Sequence, residues 1–134
     1  MAPYTFTWNE TKVDITSPNY PKSGLLKLKC SYSIKAPSNK VLQLEFLEFE
    51  FKGNNYIMEV YDGNDTDSKL IFKEKPHFLM RKNKIPSPIF SAGNEILIRL
   101  VSDSHSPSSY DPWSRVLYRI QVDAKGVVEY DLFL

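Results

Sequence analysis

A chain of 134 residues holds enough material for one domain with a single core and not comfortably for two. Its 42% hydrophobic, 13% aromatic and 25% charged residues describe an ordinary soluble globular protein rather than a disordered one. Seventeen Lys and Arg against sixteen Asp and Glu leave a net charge of +1, which argues against a nucleic-acid binder driven by basic excess. No apolar run approaches the roughly 18 to 20 residues of a membrane span, so no membrane insertion by this segment is expected.

In chain order, Met1-Ala2-Pro3-Tyr4 shows neither a basic nor an apolar leader region, so no signal peptide is readable there. Asn9-Glu10-Thr11 is an acceptor triplet for N-glycosylation. The alternating run Val13-Asp14-Ile15-Thr16 leads into Ser17-Pro18-Asn19-Tyr20-Pro21. Both prolines fix φ and disfavour helix before them, which commits the chain to a stiff extended corner. Tyr20 is expected to pack its ring under that corner and present its hydroxyl at the loop end. Leu28 to Ile34 alternates, with Cys30 on the face of Leu28, Tyr32 and Ile34.

Next, Leu42, Leu44 and Phe46 alternate with polar residues, after which Leu47, Phe49 and Phe51 carry the apolar pattern. A slip of one residue turns every following side chain to the other face, so a bulge is expected near Phe46-Leu47. Tyr56 to Tyr61 reads as a strand that runs into a turn at Asp62-Gly63. A second glycosylation triplet, Asn64-Asp65-Thr66, follows. Lys73 to Pro88 is the least strand-like region and carries the basic run Arg81-Lys82-Asn83-Lys84. Further strands are expected over Glu95 to Val101 and Val116 to Val122, separated by the Ser, Pro and Asp-rich loop Ser102 to Ser114. Residues 125 to 134 restart an alternating pattern. They are either an extra strand or the start of a following segment, so the domain is expected over residues 1 to 124. Short strands, turn clusters, nine prolines and no helical periodicity point to an all-β antiparallel sandwich or jelly roll.

The residue types of a nucleophilic triad occur together in Ser102-Asp103-Ser104-His105. A working triad needs nucleophile, base and orienting acid converging from different elements, so this cluster reads as a turn whose side chains bond nearby backbone. His77 and His105 are the only histidines and have no Cys or His at metal spacing, so no zinc site is expected. No glycine-rich phosphate loop is present. Arg81, Lys82 and Lys84, beside His77 and Phe78, form the best candidate contact for an acidic partner; the alternative is a solvated loop. Tyr110, Trp113 and Arg115 are residue types enriched at interface hot spots, although Trp113 equally suits a plug for the end of the core. Cys30 reads as a buried free thiol or as a bond to a cysteine outside this chain.

This order of motifs resembles a CUB domain, an extracellular module of about this length folded as a jelly-roll β-sandwich. The resemblance runs from about Val13 to Ala124. It is carried by Ile15 to Pro21, by Cys30 with Tyr32, by Leu44, Phe46 and Phe49, by Glu59-Val60-Tyr61-Asp62-Gly63, and by Ser91-Ala92-Gly93-Asn94 with Ile96 to Asp103. The family usually carries four cysteines in two disulfides; only Cys30 is present, and Gly53 stands near the third position. Many members bind calcium through a Glu after the central strand, an Asp before the strand-end motif and an Asp in the Ser-Asp turn. Here Lys52 falls at the first position and Tyr56 at the second, leaving Asp103, while a register error that used Glu48 or Glu50 would restore part of the set.

A hard cation wants six to eight oxygens, so no metal and no cofactor are expected. The resemblance implies a non-catalytic, extracellular or cell-surface module that docks a protein partner through loops at one end. Tyr20, Lys52, Tyr56, Asp103 and His105 are expected there, with Lys52 paired to Asp103, and Tyr110, Trp113, Arg81, Lys82 and Lys84 supply anchors and steering. Sugar is expected at Asn9 and Asn64, and anchoring of the parent protein in a membrane stays open. Two other readings stay open: a spacer or assembly unit that uses residues 125 to 134, and a carbohydrate-binding module that uses the loop aromatics.

Overall fold

In the computed structural model, residues 4–7, 12–17, 20–21, 30–52, 56–74, 85–102 and 115–126 are described, with backbone alone at 4–7, 30, 51–52, 56, 102 and 115. The strands are β1 (Tyr4–Thr7), β2 (Lys12–Thr16), β3 (Cys30–Lys35), β4 (Lys40–Lys52), β5 (Tyr56–Asp62), β6 (Lys69–Glu74), β7 (Ile89–Phe90), β8 (Glu95–Ser102) and β9 (Arg115–Gly126). They form two sheets, ordered β1-β3-β8-β5-β6 and β2-β9-β4-β7. All pairings are antiparallel except β1 with β3, which run parallel. A parallel neighbour needs a long crossover, and the passage through β2 in the other sheet provides it.

Alternation builds the core between the sheets. On β9, Val116, Tyr118, Ile120 and Val122 are fully buried, while Leu117, Arg119 and Gln121 face outward and are half-buried. Ile34, Met58, Val60, Ile98 and Leu100 oppose them from the five-stranded sheet. Each such side chain contributes about 1.5 to 3 kcal/mol when withdrawn from water. The bulge lies where the apolar pattern slips, because Phe46 pairs with Ile120 but Glu48 pairs with Arg119, leaving Leu47 as the extra residue. Phe46 and Phe49 therefore both face inward, with ring centroids 5.2 Å apart at 74°. Phe72 of β6 lies 5.2 Å from Phe46 and extends the cluster across the sheets.

Two buried serines hold the strand ends of the four-stranded sheet in the same way. Just past β2, the Ser17 amide donates to the Tyr118 carbonyl at 3.0 Å, and the Tyr118 amide donates to Ser17 Oγ at 3.0 Å. Just past β7, the Ser91 amide donates to the Leu42 carbonyl at 2.9 Å, and the Leu42 amide donates to Ser91 Oγ at 2.8 Å. In both places a hydroxyl takes the position of a ladder carbonyl, which lets the chain turn away without orphaning the neighbour's amide. Ser17 is 3% exposed and Ser91 7%. Ser17→Ala and Ser91→Ala are each expected to lower unfolding free energy by about 1 to 3 kcal/mol, since each strips a buried amide of its acceptor. Urea denaturation checks this, and the double variant should show nearly additive losses because the two sites are far apart along the sheet.

Candidate functional site

The strand register divides the sandwich into two ends. Lys52 closes β4 opposite Arg115, the first residue of β9, and Tyr56 opens β5 opposite Ser102, the last residue of β8. Residues 53–55 join these strands, so both sheets present this end together. Glu74, the last residue of β6, pairs with Met58 near the start of β5, and Cys30 at the start of β3 pairs with Leu100. The corner after β2 leaves toward the same end, where Thr16 pairs with Arg119, the fifth residue of β9. Tyr20, Lys52, Tyr56, Asp103, His105, Tyr110 and Trp113 thus belong to segments whose flanking strands stop near this end, whereas the segment with Arg81, Lys82 and Lys84 leaves β6 here and enters β7 at Ile89, opposite Leu44 toward the other end of β4. Of them, Tyr20 is described with its side chain, and Lys52 and Tyr56 by their backbone. Arg81, Lys82, Lys84, Asp103, His105, Tyr110 and Trp113 lie outside the described residues, as do Asn9 and the expected Lys52–Asp103 pair. The same holds for the Cys30 side chain and for residues 127–134, while β9 itself continues through Lys125 and Gly126.

At Tyr20 the corner meets the outer face of the four-stranded sheet. Its amide donates to the Ser17 carbonyl at 3.2 Å, and its peptide with Pro21 is cis. A hydrogen bond to the Glu48 carboxylate raises the Tyr20 pKa, helped by desolvation and by the Glu48 charge, while Arg119 acts in the opposite direction. Glu48 stands directly across from Arg119 in the ladder. Arg119 in turn holds Asp14 with two bonds, Nη2 to Oδ2 at 3.0 Å and Nε to Oδ1 at 3.3 Å, and this carboxylate raises the guanidinium pKa. Asp14, Arg119, Glu48 and Tyr20 therefore form a row of alternating character across β2, β9, β4 and the corner. Sequence reasoning singled out Tyr20 but not its partners, because the pairing of β4 with β9 and its register leave no local signal in the chain. Farther along this face, Lys12, Gln43, Glu45, Gln121, Asp123 and Lys125 line a shallow polar depression of about 160 Å³. Lys125 and Asp123 pair there at 2.9 Å, so its charges are largely balanced.

The other end is made of tight turns that hold one another. Both carboxylate oxygens of Asp62, just before Gly63, accept from the Ala92 amide at 3.1 Å. Ala36 and Asn94 exchange two bonds at 2.8 Å, one through the Asn94 side chain. Ser91 Oγ reaches the Gly93 carbonyl at 2.6 Å. Asp62-Gly63 and Ser91-Ala92-Gly93-Asn94 thus fasten the two sheets at the end away from the corner. Among the described residues, no group of three or more His, Cys, Asp or Glu gathers in a way that could hold a metal. No helix of the described chain is long and apolar enough to cross a membrane.

These features define a two-sheet jelly-roll module with a bonded turn end and a loop-bearing corner end. A CUB domain family model matches residues 5–114, and the chain belongs to the CUB family. Over 95 residues it is 38% identical to Procollagen C-endopeptidase enhancer 1 of Rattus norvegicus, covering 66% of this chain and 19% of that protein. The chain spans less than a fifth of the length of this relative and of two tolloid relatives that it also matches. Among solved structures, the CUB1-EGF-CUB2 domains of rat MASP-1 superpose with a TM-score of 0.71 at 20% identity, covering 94% of this chain and 44% of that one. The MASP-1 CUB2 domain bound to Ca2+ superposes with a TM-score of 0.61 at 20% identity, covering 90% and 96%. At that identity the likeness establishes the shared fold alone.

The Tyr20 environment has a measurable sign. A raised phenol pKa means that the folded state holds the proton more tightly than the unfolded chain. The associated stability is present below the ordinary value of about 10 and is lost as pH rises through the folded value. A spectroscopic titration of the wild type minus Tyr20→Phe should show a phenol ionising above the ordinary value, and Glu48→Gln should move it down. Ionisation at or below the ordinary value in the wild type would contradict the Glu48 contact.

Proposed function

We propose that this domain is a non-catalytic, extracellular protein-binding module of a larger protein, and that it docks its partner through the corner end without calcium. The observation that carries this reading is the convergence of strand ends: Thr16, Lys52, Tyr56, Glu74, Ser102 and Arg115 close or open their strands at one end. Binding loops held at one end of a rigid sandwich are a recurrent way to place contact residues without disturbing the core. The segments leaving these strands carry the aromatic and cationic residue types suited to anchoring and steering a protein partner. A spacer or assembly role is the second reading, and a glycan ligand for the same aromatics the third.

The donor set supports calcium independence. Calcium is held by six to eight oxygens, several of them carboxylate. The chain offers an ammonium at Lys52 and a phenol at Tyr56 where the resemblance places Glu and Asp. Glu50, the nearest acid upstream, is exposed opposite Leu117, and Glu48 is exposed on the sheet face, opposite Arg119 and bonded to Tyr20. Glu48 stands four residues before the end of β4. These groups do not fit a hard cation.

A metal titration of the chelator-treated domain tests the point. Thermal unfolding should be unchanged by millimolar Ca2+. A midpoint that climbs steadily with Ca2+ concentration, as ligand linkage requires, would overturn calcium independence.

A further inference from the structure

The turn between β5 and β6 contains the triplet Asn64-Asp65-Thr66, and its geometry leaves the asparagine free for chemistry. Gly63 enters the turn with φ of +158°, and a Cβ there would collide with the Ser68 side chain, so this path is open to glycine. Asp65 folds its carboxylate back into the turn: Oδ1 accepts from the Asp67 amide at 3.1 Å, the Ser68 amide at 3.1 Å and Ser68 Oγ at 3.0 Å. The Ser68 amide also reaches the Asp65 carbonyl at 3.2 Å. This side-chain-bonded turn fixes the backbone on either side of Thr66 without using Asn64. Asn64, Asp65, Thr66 and Asp67 are all exposed, and among the described residues no hydrogen bond engages the Asn64 amide.

We infer that Asn64 is an N-glycan acceptor, and that its sugar projects from the end of the sandwich opposite the corner. An acceptor needs a reachable asparagine amide with a Ser or Thr hydroxyl two residues on. The turn presents both, while the acid between them is bonded inward. β6 is the margin of its sheet, so a branched oligosaccharide leaves from an edge into solvent rather than from the middle of a face. In the transfer, Asn64 Nδ2 bonds to the anomeric carbon of a lipid-diphosphate-linked oligosaccharide. The bond from that carbon to the phosphate oxygen breaks, the lipid diphosphate leaves with the electron pair, and the amide loses one proton. The modification rests on the extracellular reading only for access to this donor. Because Asp62 binds Ala92 beside the same turn, the sugar occupies the end whose polar groups already serve the fold.

The test places the full chain behind a cleavable secretion leader in animal cells and measures intact mass before and after enzymatic removal of N-glycans. Mass is read on lumenal and secreted protein together, so a poorly secreted variant is still scored. The wild type should lose the mass of a glycan that Asn64→Gln and Thr66→Ala lack. Thr66→Ser, which preserves the hydroxyl, and Asn9→Gln should keep it. Wild-type protein without sugar at Asn64, or an unchanged glycan mass in both Asn64→Gln and Thr66→Ala, would overturn the site. The leader forces entry into the secretory lumen, so occupancy reports on the turn itself. Finding the native protein inside the cell would instead count against the extracellular reading.

Discussion

Tyr118 is the residue on which the two sheets and the corner meet. Its backbone amide and carbonyl both bond Ser17, which ties the exit of β2 to β9. Its buried hydroxyl lies 2.7 Å from that of Tyr32 on β3, so a polar contact spans the space between the sheets. The two rings stand 6.5 Å apart at 85°, the edge-to-face arrangement that aromatic quadrupoles favour. A hydroxyl pair inside an apolar core is costly unless both groups are satisfied, and one that is satisfied fixes the relative placement of its elements. The neighbouring outward position, Arg119, then reaches Asp14 on one side and faces Glu48 on the other. One short stretch of β9 thereby sets the sheet spacing, the corner and the outer polar row.

Much of this was legible in the chain because period-two alternation has one physical meaning in a half-buried strand. The central and late strands were readable, and the slip after Phe46 located the bulge. β6 was not anticipated. Leu70, Ile71 and Phe72 break the alternation where its pairing with β5 shifts, so Leu70 is 42% exposed while Phe72 packs on the core. Two-residue β7 and the parallel edge strand β1 were equally silent, because pairing across sequence distance leaves no local period. At the site, the stiffness of Ser17 to Pro21 was visible from its prolines, whereas its dependence on Ser17 Oγ was not. A serine that substitutes for a ladder carbonyl looks the same in sequence as one in a solvated loop.

The motifs that carry the family resemblance have mainly structural work in this chain. Asp62 binds Ala92, Asn94 binds Ala36, and Ser91 binds Leu42, so the most recognisable residues after the corner hold the turn end together. These bonds lie at the end away from Lys52 and Tyr56, so the fold holds there whatever residues stand at the positions the resemblance gives to acids. Specificity on the proposed reading resides at the other end, where the segments between strands differ in charge and aromatic content. The outer row from Asp14 to Tyr20 braces the corner from which one of those segments departs.

One-ended docking is the central claim, and site-specific photocrosslinking addresses it most directly. A photoreactive side chain is installed at Tyr110, in a segment of the corner end, or at Asn39, in the exposed turn before β4. Each protein is then applied to intact animal cells and illuminated with and without a calcium chelator. The account predicts a discrete crosslinked surface protein from position 110, undiminished by the chelator, and none from position 39. Equal crosslinking from both positions, or crosslinking from position 39 alone, would contradict it.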